Sequence, residues 1–519
     1  MCADGIAPRA DPLPAGGQRG GGSASGASLS IFLGSRALAA MIVALAIAQQ
    51  AVGHLNGDDS WFILFAERVA NGAKAYVDIS DPNPPAGFLA YMPAVRAARW
   101  LGGSAEFWTV VETFLAAFCS LALSGAILRA TRTLAPDETG LWRNAALWLV
   151  LLAAGFGFAE REHFALIAFL PFAAAAMARA EGARPPLALA FVAGLGGGIA
   201  LCFKPYFALP IAAVVLFAGW RRRAPSTLFA PENFAVAATA VVYGLFVWLR
   251  YPDYVWGVAA LATEVYAPAR YGFWQVAASP PFLFNAAALV AVGVGMAYAG
   301  FEARAALLAA ASAGFLATYV IQAKIWFNHA YPGEALGVLA LVALVTGRLA
   351  TSPEAASRLG RMALLPALIL APFLMAAQMN LPGAEEYPGL TAAVRANAPA
   401  RPKIAVLAQQ LDVGHPLTRR VGGRWIGRRN ALWVDNCVRQ ILSTQKVDEE
   451  TRARLLAYAA EERAELAEDV AKGKPDIFLV ETPQLRQWAQ GKPEFAHLLD
   501  GLVRKAQVGD IEIWARAGG

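Results

Sequence analysis

The chain has 519 residues, of which 57% are hydrophobic and only 16% charged, and its mean hydropathy is +0.44. Those values exclude a string of soluble domains, because apolar runs recur and each is about 20 residues long, enough to cross the hydrocarbon core of a bilayer. The formal charge of +6 does not point to nucleic acid either, since the basic residues stand at the ends of apolar segments rather than in one patch.

Residues 1–30 are rich in Gly, Ala, Ser and Pro and lack an apolar core, which is the composition of a disordered tail rather than a signal peptide. Cys2, Cys119, Cys202 and Cys437 are far apart, two of them inside apolar segments, so they support neither a disulfide framework nor a zinc site. Apolar segments follow at 33–53, 106–128, 143–159, 162–180, 186–203, 205–220, 234–250, 281–300, 304–321, 331–348 and 362–380, which predicts a polytopic α-helical membrane protein with about 11 crossings. With the N-terminus in the cytoplasm, every inner connection is basic: Arg36, then Arg129, Arg132 and Arg143, then Arg179 and Arg184, then Arg221, Arg222 and Arg223, then Arg304, then Arg348, Arg358 and Arg361. That is the positive-inside pattern. An odd number of crossings leaves the C-terminus outside.

The stretch 54–105 is then a long outer loop. Its apolar pieces, 61–72 and 84–101, are interrupted by Arg68, Arg96 and Arg99, so they are expected to lie in the interface rather than cross it. The loop carries four acids. Asp58 and Asp59 read in two ways: as an acidic cluster at the membrane surface suited to base catalysis or metal binding, or as caps of a helix that begins at Trp61. Asp78 and Asp81 read as metal ligands or turn formers, and Asp81 favours the turn because Pro82 follows it.

On this topology the few charges left outside belong to unusual motifs. They are EREH at 160–163, FKPY at 203–206, the loop with Glu264 and Arg270, and QAKIWFNHAYP at 322–332. Any single Lys or Arg at a helix end is best explained as snorkelling to the headgroups. The set is not, because snorkelling would scatter such residues over both faces. Arg161, His163, Lys204, Arg270, Lys324 and His329 offer groups suited to a phosphate, and a phosphate at bilayer depth is a lipid phosphate. Cations that stabilise a leaving phosphate, facing a carboxylate that deprotonates a hydroxyl, describe transfer from a lipid-phosphate donor. A divalent metal cation would supply the same charge stabilisation, with Asp59, Asp78 and Asp81 as candidate ligands. Each residue also has a plainer reading. The histidines can serve interfacial hydrogen bonds, Lys204-Pro205 can join two helices, and the glycines at 194–198 can permit close helix packing.

From 381 to 519 charged residues become frequent. Short apolar runs at 403–408, 476–481 and 511–516 alternate with helical stretches such as 446–472, which predicts a small α/β domain over the outer face. Its basic, aromatic stretch 415–430 reads either as a contact for an anionic headgroup or as a solvated loop.

The outer loop, GDDSWFILFAERVANGAKAYVDISDPNPPAGFLAYMPAVRAARWLGG, resembles the first periplasmic loop of the GT-C membrane glycosyltransferases, in the branch with protein O-mannosyltransferases and lipid A aminoarabinose transferases. The shared order is an acidic pair after the first span, a helix, a glycine, an aromatic-acidic turn, a proline element and a Trp-Gly stop. The resemblance implies a GT-C-like domain over 31–380 and inverting transfer of a sugar from a polyprenyl-phosphate donor. In that pattern Asp58 matches the essential first acid and Asp59 the second position, where Glu is usual. Asn83 replaces the Lys common before the later proline, so the phosphate role passes to other cations, foremost Lys204, Lys324 and Arg161. The implied setting is the periplasmic face of a bacterial inner membrane, and the partners are a polyprenyl-phosphate-linked sugar, membrane lipid and a cell-envelope acceptor that is a polysaccharide, lipid or protein. A family does not fix the substrate. Two other readings stand beside it: a transporter or flippase of an anionic lipid, and a catalytically silent scaffold.

Overall fold

Apolar segments deprived of water satisfy their peptide groups within helices, and in the computed structural model the described ones are mostly helical. The structure describes residues 33–53, 55–136, 138–349 and 387–516. The tail at 1–30 and the apolar segment 362–380 lie outside those residues. Among the described residues six helices are long and apolar enough to cross a membrane, namely Ala105–Ala130, Arg161–Ala180, Pro231–Arg250, Pro280–Ala299, Ala303–Gln322 and one that starts at Phe327. Shorter helices occupy four more of the expected segments: Arg36–Val52, Glu138–Leu147 continuing as a π-helical turn Trp148–Leu152, Leu187–Phe203 and Ala208–Arg222. The chain is therefore a membrane protein, mostly helical, with a small sheet at its C-terminal end.

Arg161–Ala180 runs through the middle of the bundle, nearly all of it buried. Leu187–Phe203 packs closely on it because its glycines have no side chain to hold the neighbours off. A Cβ on Gly196 would stand 2.4 Å from the carbonyl of Ala168, and one on Gly194 2.2 Å from that of Glu232. The glycine run at 194–198 is thus a packing surface.

The helix ends sort into two groups. At one end Arg143 donates to the carbonyls of Gly34 and Ser35, Arg179 pairs with Glu232 at 2.8 Å, and Arg304 pairs with Glu138 and Glu302, each at 2.8 Å. Asp58, Arg161, Lys204, Gln322 and His329 gather at the other. The basic connections and the unusual motifs are separated by the length of the bundle.

The loop between the first two long apolar segments folds as expected in outline and differs in its start. The helix Gly57–Ala70 begins four residues before Trp61, and Asn56 caps it, accepting from the amide of Asp59 at 2.9 Å. Asp58 and Asp59 are not the caps; they occupy the first turn, where the negative charge of Asp58 suits the helix dipole. Eight of this helix's fourteen residues are buried, so it is a packed element rather than one floating in the interface. Met92–Leu101 does keep an exposed face, with Trp100 at its end.

The C-terminal sheet has the order β2-β1-β3-β5-β4, from strands β1 (Lys403–Leu407), β2 (Arg424–Trp425), β3 (Ile477–Val480), β4 (Leu502–Val508) and β5 (Ile511–Arg516). β1 runs parallel to β2 and β3, and β5 runs antiparallel to β3 and β4. Continuous burial along β1 and β3 suits a sheet covered on both faces.

This sheet sits over the end that holds Asp58. Trp61 meets the rings of His415 and Trp425 at 5.3 and 6.5 Å, Arg68 donates to the carbonyl of Gly427 at 2.7 Å, and Arg419 pairs with Glu67 at 2.7 Å and also with Glu106. Arg428 and Arg429 pair with Glu465, Glu468 and Asp469. The stretch 415–430 is therefore not a plain solvated loop, since its Arg419, Arg428 and Arg429 are each taken up by carboxylates. It is the seam that fastens the sheet to the loop. Replacing Arg419 with Ala leaves two carboxylates without their cation, and is expected to cost about 1–3 kcal/mol. The seam should loosen first: amide exchange at 417–430 should rise before exchange in β1 or β3 does. Unchanged exchange there would show that the pairs add nothing to docking.

Candidate functional site

The start of Arg161–Ala180 brings the site together, because consecutive residues there face different partners. Arg161 turns toward the loop helix, where its Nη2 lies 2.8 Å from Asp58 Oδ2, and its guanidinium covers the ring of Phe62 at 4.5 Å. The Asp58 side chain keeps 29% of its exposure while Arg161 keeps 4%, so the carboxylate faces accessible space and the cation backs it. Arg161 Nη1 is buried with no hydrogen-bond partner among the described residues. A buried donor without an acceptor is costly, and an anion at this point would supply one.

Glu162 turns the other way, into a buried cluster. Lys204, at the C-terminal end of Leu187–Phe203, donates to Glu162, to Gln322 Oε1 at 3.1 Å and to His329 Nε2 at 2.9 Å. An ammonium has three hydrogens, and this one has three acceptors. His329 Nε2 in turn is occupied by Lys204. Lys204 has no hydrogen left for phosphate in this arrangement, whereas the Nδ1 of His329 and Oε2 of Glu162 are buried with no hydrogen-bond partner among the described residues. His163 is also committed, its Nδ1 accepting from the amide of Ala159 at 3.0 Å and its Nε2 donating to the carbonyl of Val150 at 2.7 Å. Two of the six groups expected to hold phosphate, Lys204 and His163, are thus held by the protein itself.

Lys324 stands between Ala303–Gln322 and the helix Phe327–Leu349. It donates to the carbonyls of Tyr266 and Ala269 and lies 4.0 Å over the Tyr266 ring, which leaves one of its hydrogens free. Burial lowers its pKa to about 8, with Cys437 opposing and the charges of Lys204 and Arg270 adding. Burial likewise pushes the Tyr266 phenol well up, against the Arg161 charge and with those of Cys437, Asp58 and Asp81. Arg270, four residues after Tyr266, is exposed.

Asp59 does not join Asp58. Successive residues on a helix point about 100° apart, and Asp59 has no exposed surface; its Oδ1 lies 2.8 Å from the Tyr91 hydroxyl. A carboxyl with no surface cannot reach an acceptor, so the second acid of the pair is not placed for base catalysis. Asp81 accepts from Trp61 Nε1 at 2.9 Å and from the Asn83 amide at 2.9 Å, and Asp78 accepts from the Lys74 amide at 2.7 Å. Both are turn formers here. Among the described residues no three His, Cys, Asp or Glu side chains converge as a metal site, and the three aspartates named for a cation are each committed to different partners.

Several residues of the site were not singled out from sequence. Glu160 accepts from Asn56 and from Asn328, which ties the loop helix and Phe327–Leu349 to the start of Arg161–Ala180. Glu160 and Glu162 were visible in EREH, and Gln322 and Asn328 in QAKIWFNHAYP; Asn56 and Tyr91 carried no signal beyond position.

No family model matches the chain, and no curated protein matches it. Solved structures do. ArnT from Cupriavidus metallidurans bound to undecaprenyl phosphate matches with a TM-score of 0.55 at 14% identity, over 96% of this chain and 99% of that one. The apo state of the same protein matches with a TM-score of 0.55 at 15% identity, over 92% and 98% of the two chains. Likeness at such identity shows a shared fold. The shared fold spans membrane helices and C-terminal sheet together.

Proposed function

We propose that the chain is an integral-membrane inverting glycosyltransferase that moves a sugar from a polyprenyl-phosphate donor to a cell-envelope acceptor. The observation that carries this reading is the half-exposed Asp58 carboxylate set against a buried Arg161 with an unused Nη1, at one end of a fold shared with a protein solved with undecaprenyl phosphate. The basic residues at the opposite bundle end support placing the site at the periplasmic face of a bacterial inner membrane, with the N-terminus cytoplasmic, eleven crossings and the sheet of 381–519 outside.

In this mechanism Asp58 takes the proton of the acceptor hydroxyl as its oxygen bonds to the anomeric carbon. The bond from that carbon to the phosphate oxygen breaks, and its electron pair stays on the polyprenyl phosphate. Arg161 Nη1, the free hydrogen of Lys324 and the exposed Arg270 receive that charge. Lys204, engaged by Glu162, Gln322 and His329, does not touch the donor.

Purified protein in sealed vesicles, given radiolabelled polyprenyl-phosphate sugars and candidate acceptors, tests the reading. Labelled product supports it. Movement of labelled lipid across the vesicle without product would instead make the chain a transporter, and neither event would leave a scaffold.

The Lys324 contribution has its own pH signature. The free cation exists below about pH 8, so donor-lipid binding is expected to weaken as pH rises through that value. Lys324→Arg should abolish the midpoint, since Arg stays charged. Stability runs oppositely: between about 8 and the ordinary 10.5 the unfolded chain holds a proton that the folded chain has released, so this group stabilises the fold more as pH rises across that window. Binding that is flat through pH 8 would remove Lys324 from the donor site.

A further inference from the structure

The Tyr91 hydroxyl lies 2.8 Å from Asp59 Oδ1 and 2.9 Å from the carbonyl oxygen of Ala159. Each contact needs a hydrogen between its oxygens, and a phenol has one. The Ala159 carbonyl has none to give. We propose that Asp59 is held as a neutral carboxylic acid whose hydroxyl donates to Tyr91, so that Tyr91 donates to Ala159 and fixes the turn that aims Arg161 at Asp58.

The surroundings of Asp59 fit a neutral acid. It has no exposed surface, its Oδ2 has no partner among the described residues, and the nearby cation Arg161 bonds to Asp58 instead. An ionised carboxylate with an unsatisfied oxygen would cost far more there than an acid with one idle carbonyl oxygen. Burial, with the Asp58 charge adding and the Tyr91 bond opposing, pushes the Asp59 pKa well above the usual carboxylate range.

The far end of the relay is the part worth holding. Ala159 has φ +68°, in the left-handed region that residues with a Cβ seldom adopt. Such a backbone persists only when its surroundings over-determine it. Here Tyr91 takes the carbonyl and His163 Nδ1 takes the amide, and the next two residues are Glu160 and Arg161. Asp59 and Tyr91 are thus positioning residues, which act on the Asp58–Arg161 pair through one peptide unit and touch no substrate. Losing either one lets the turn relax and Arg161 drift from its carboxylate.

The test has a spectroscopic and a kinetic arm, and only the kinetic arm rests on the transferase reading. In an infrared difference spectrum of wild-type protein minus D59N near neutral pH, the expected result is a positive band in the C=O stretch region of protonated carboxylic acids. A positive ionised-carboxylate band in its place would overturn the proposal, whether or not the protein transfers sugar. In the transfer assay D59A and Y91F should lower kcat by about 10²-fold with little change in KM for the donor, the scale of a small misplacement of a reacting group. D59N should recover most of the activity that D59A loses, because its amide N–H can donate to Tyr91 as the carboxyl hydroxyl did. A D59N variant as inactive as D59A would assign Asp59 a charge-dependent role and overturn the positioning one.

Discussion

Replacing Asp58 with Asn is expected to lower sugar transfer by about 10²–10⁴-fold, the usual contribution of a positioned general base. The substitution keeps shape and hydrogen-bonding capacity but removes the proton acceptor. The fold should survive it: Asp58 is the exposed partner of its pair, and Arg161 also contacts Phe62. The variant should therefore insert and express normally, and should still bind polyprenyl phosphate, because Arg161 is then freed of its only bonded carboxylate among the described residues. Loss of kcat with donor affinity kept or improved is the pattern that identifies a base rather than a donor ligand. Normal turnover by D58N would remove Asp58 from the chemistry, and loss of donor binding with unchanged kcat would move it to the binding site.

What could be read from sequence divides along a physical line. Properties that depend on local composition were legible: apolar segments, the basic connections at one bundle end, the strands at 403–407, 477–480 and 511–516, and an acid and cations meeting at the other end. Properties that depend on rotation about a helix or on counting hydrogen-bond partners were not. One step along the helix Gly57–Ala70 carries Asp58 to the surface and Asp59 to the interior, and that phase is set by the true start at Asn56, three residues after Gly53 and five before Trp61. Lys204 looks like a free cationic group in a sequence because Glu162, Gln322 and His329, which occupy it, arrive from other helices. The stretch 415–430 looks like a basic surface because its carboxylates stand elsewhere, Glu67 and Glu106 in the membrane half and Glu465 to Asp469 in a later helix. The segment 143–159 reads as one span, yet it breaks through a π-helical turn and a 3-10 turn at Gly155–Gly157, which is how Glu160 and Arg161 come to sit at a fresh helix start.

Replacing Lys204 with Met tests whether that cation is a structural partner or a ligand. Lys204 and Glu162 are both buried, and removing one partner of a buried pair leaves the other charge uncompensated, at a cost of about 3–5 kcal/mol. The expected result is a large fall in the thermal unfolding temperature in detergent, with Gln322 and His329 also losing the donor that they share. Glu162→Gln on top of it should return most of the loss, because a neutral pair of similar volume no longer strands a charge; the coupling in that double-mutant cycle measures the interaction itself. A phosphate ligand would behave in the opposite way. Were Lys204 bound to the donor rather than to Glu162, the Met variant would keep its stability, lose donor affinity and gain nothing from the second substitution. The two patterns share no outcome, so one pair of variants decides whether Lys204 faces the lipid phosphate or only the protein.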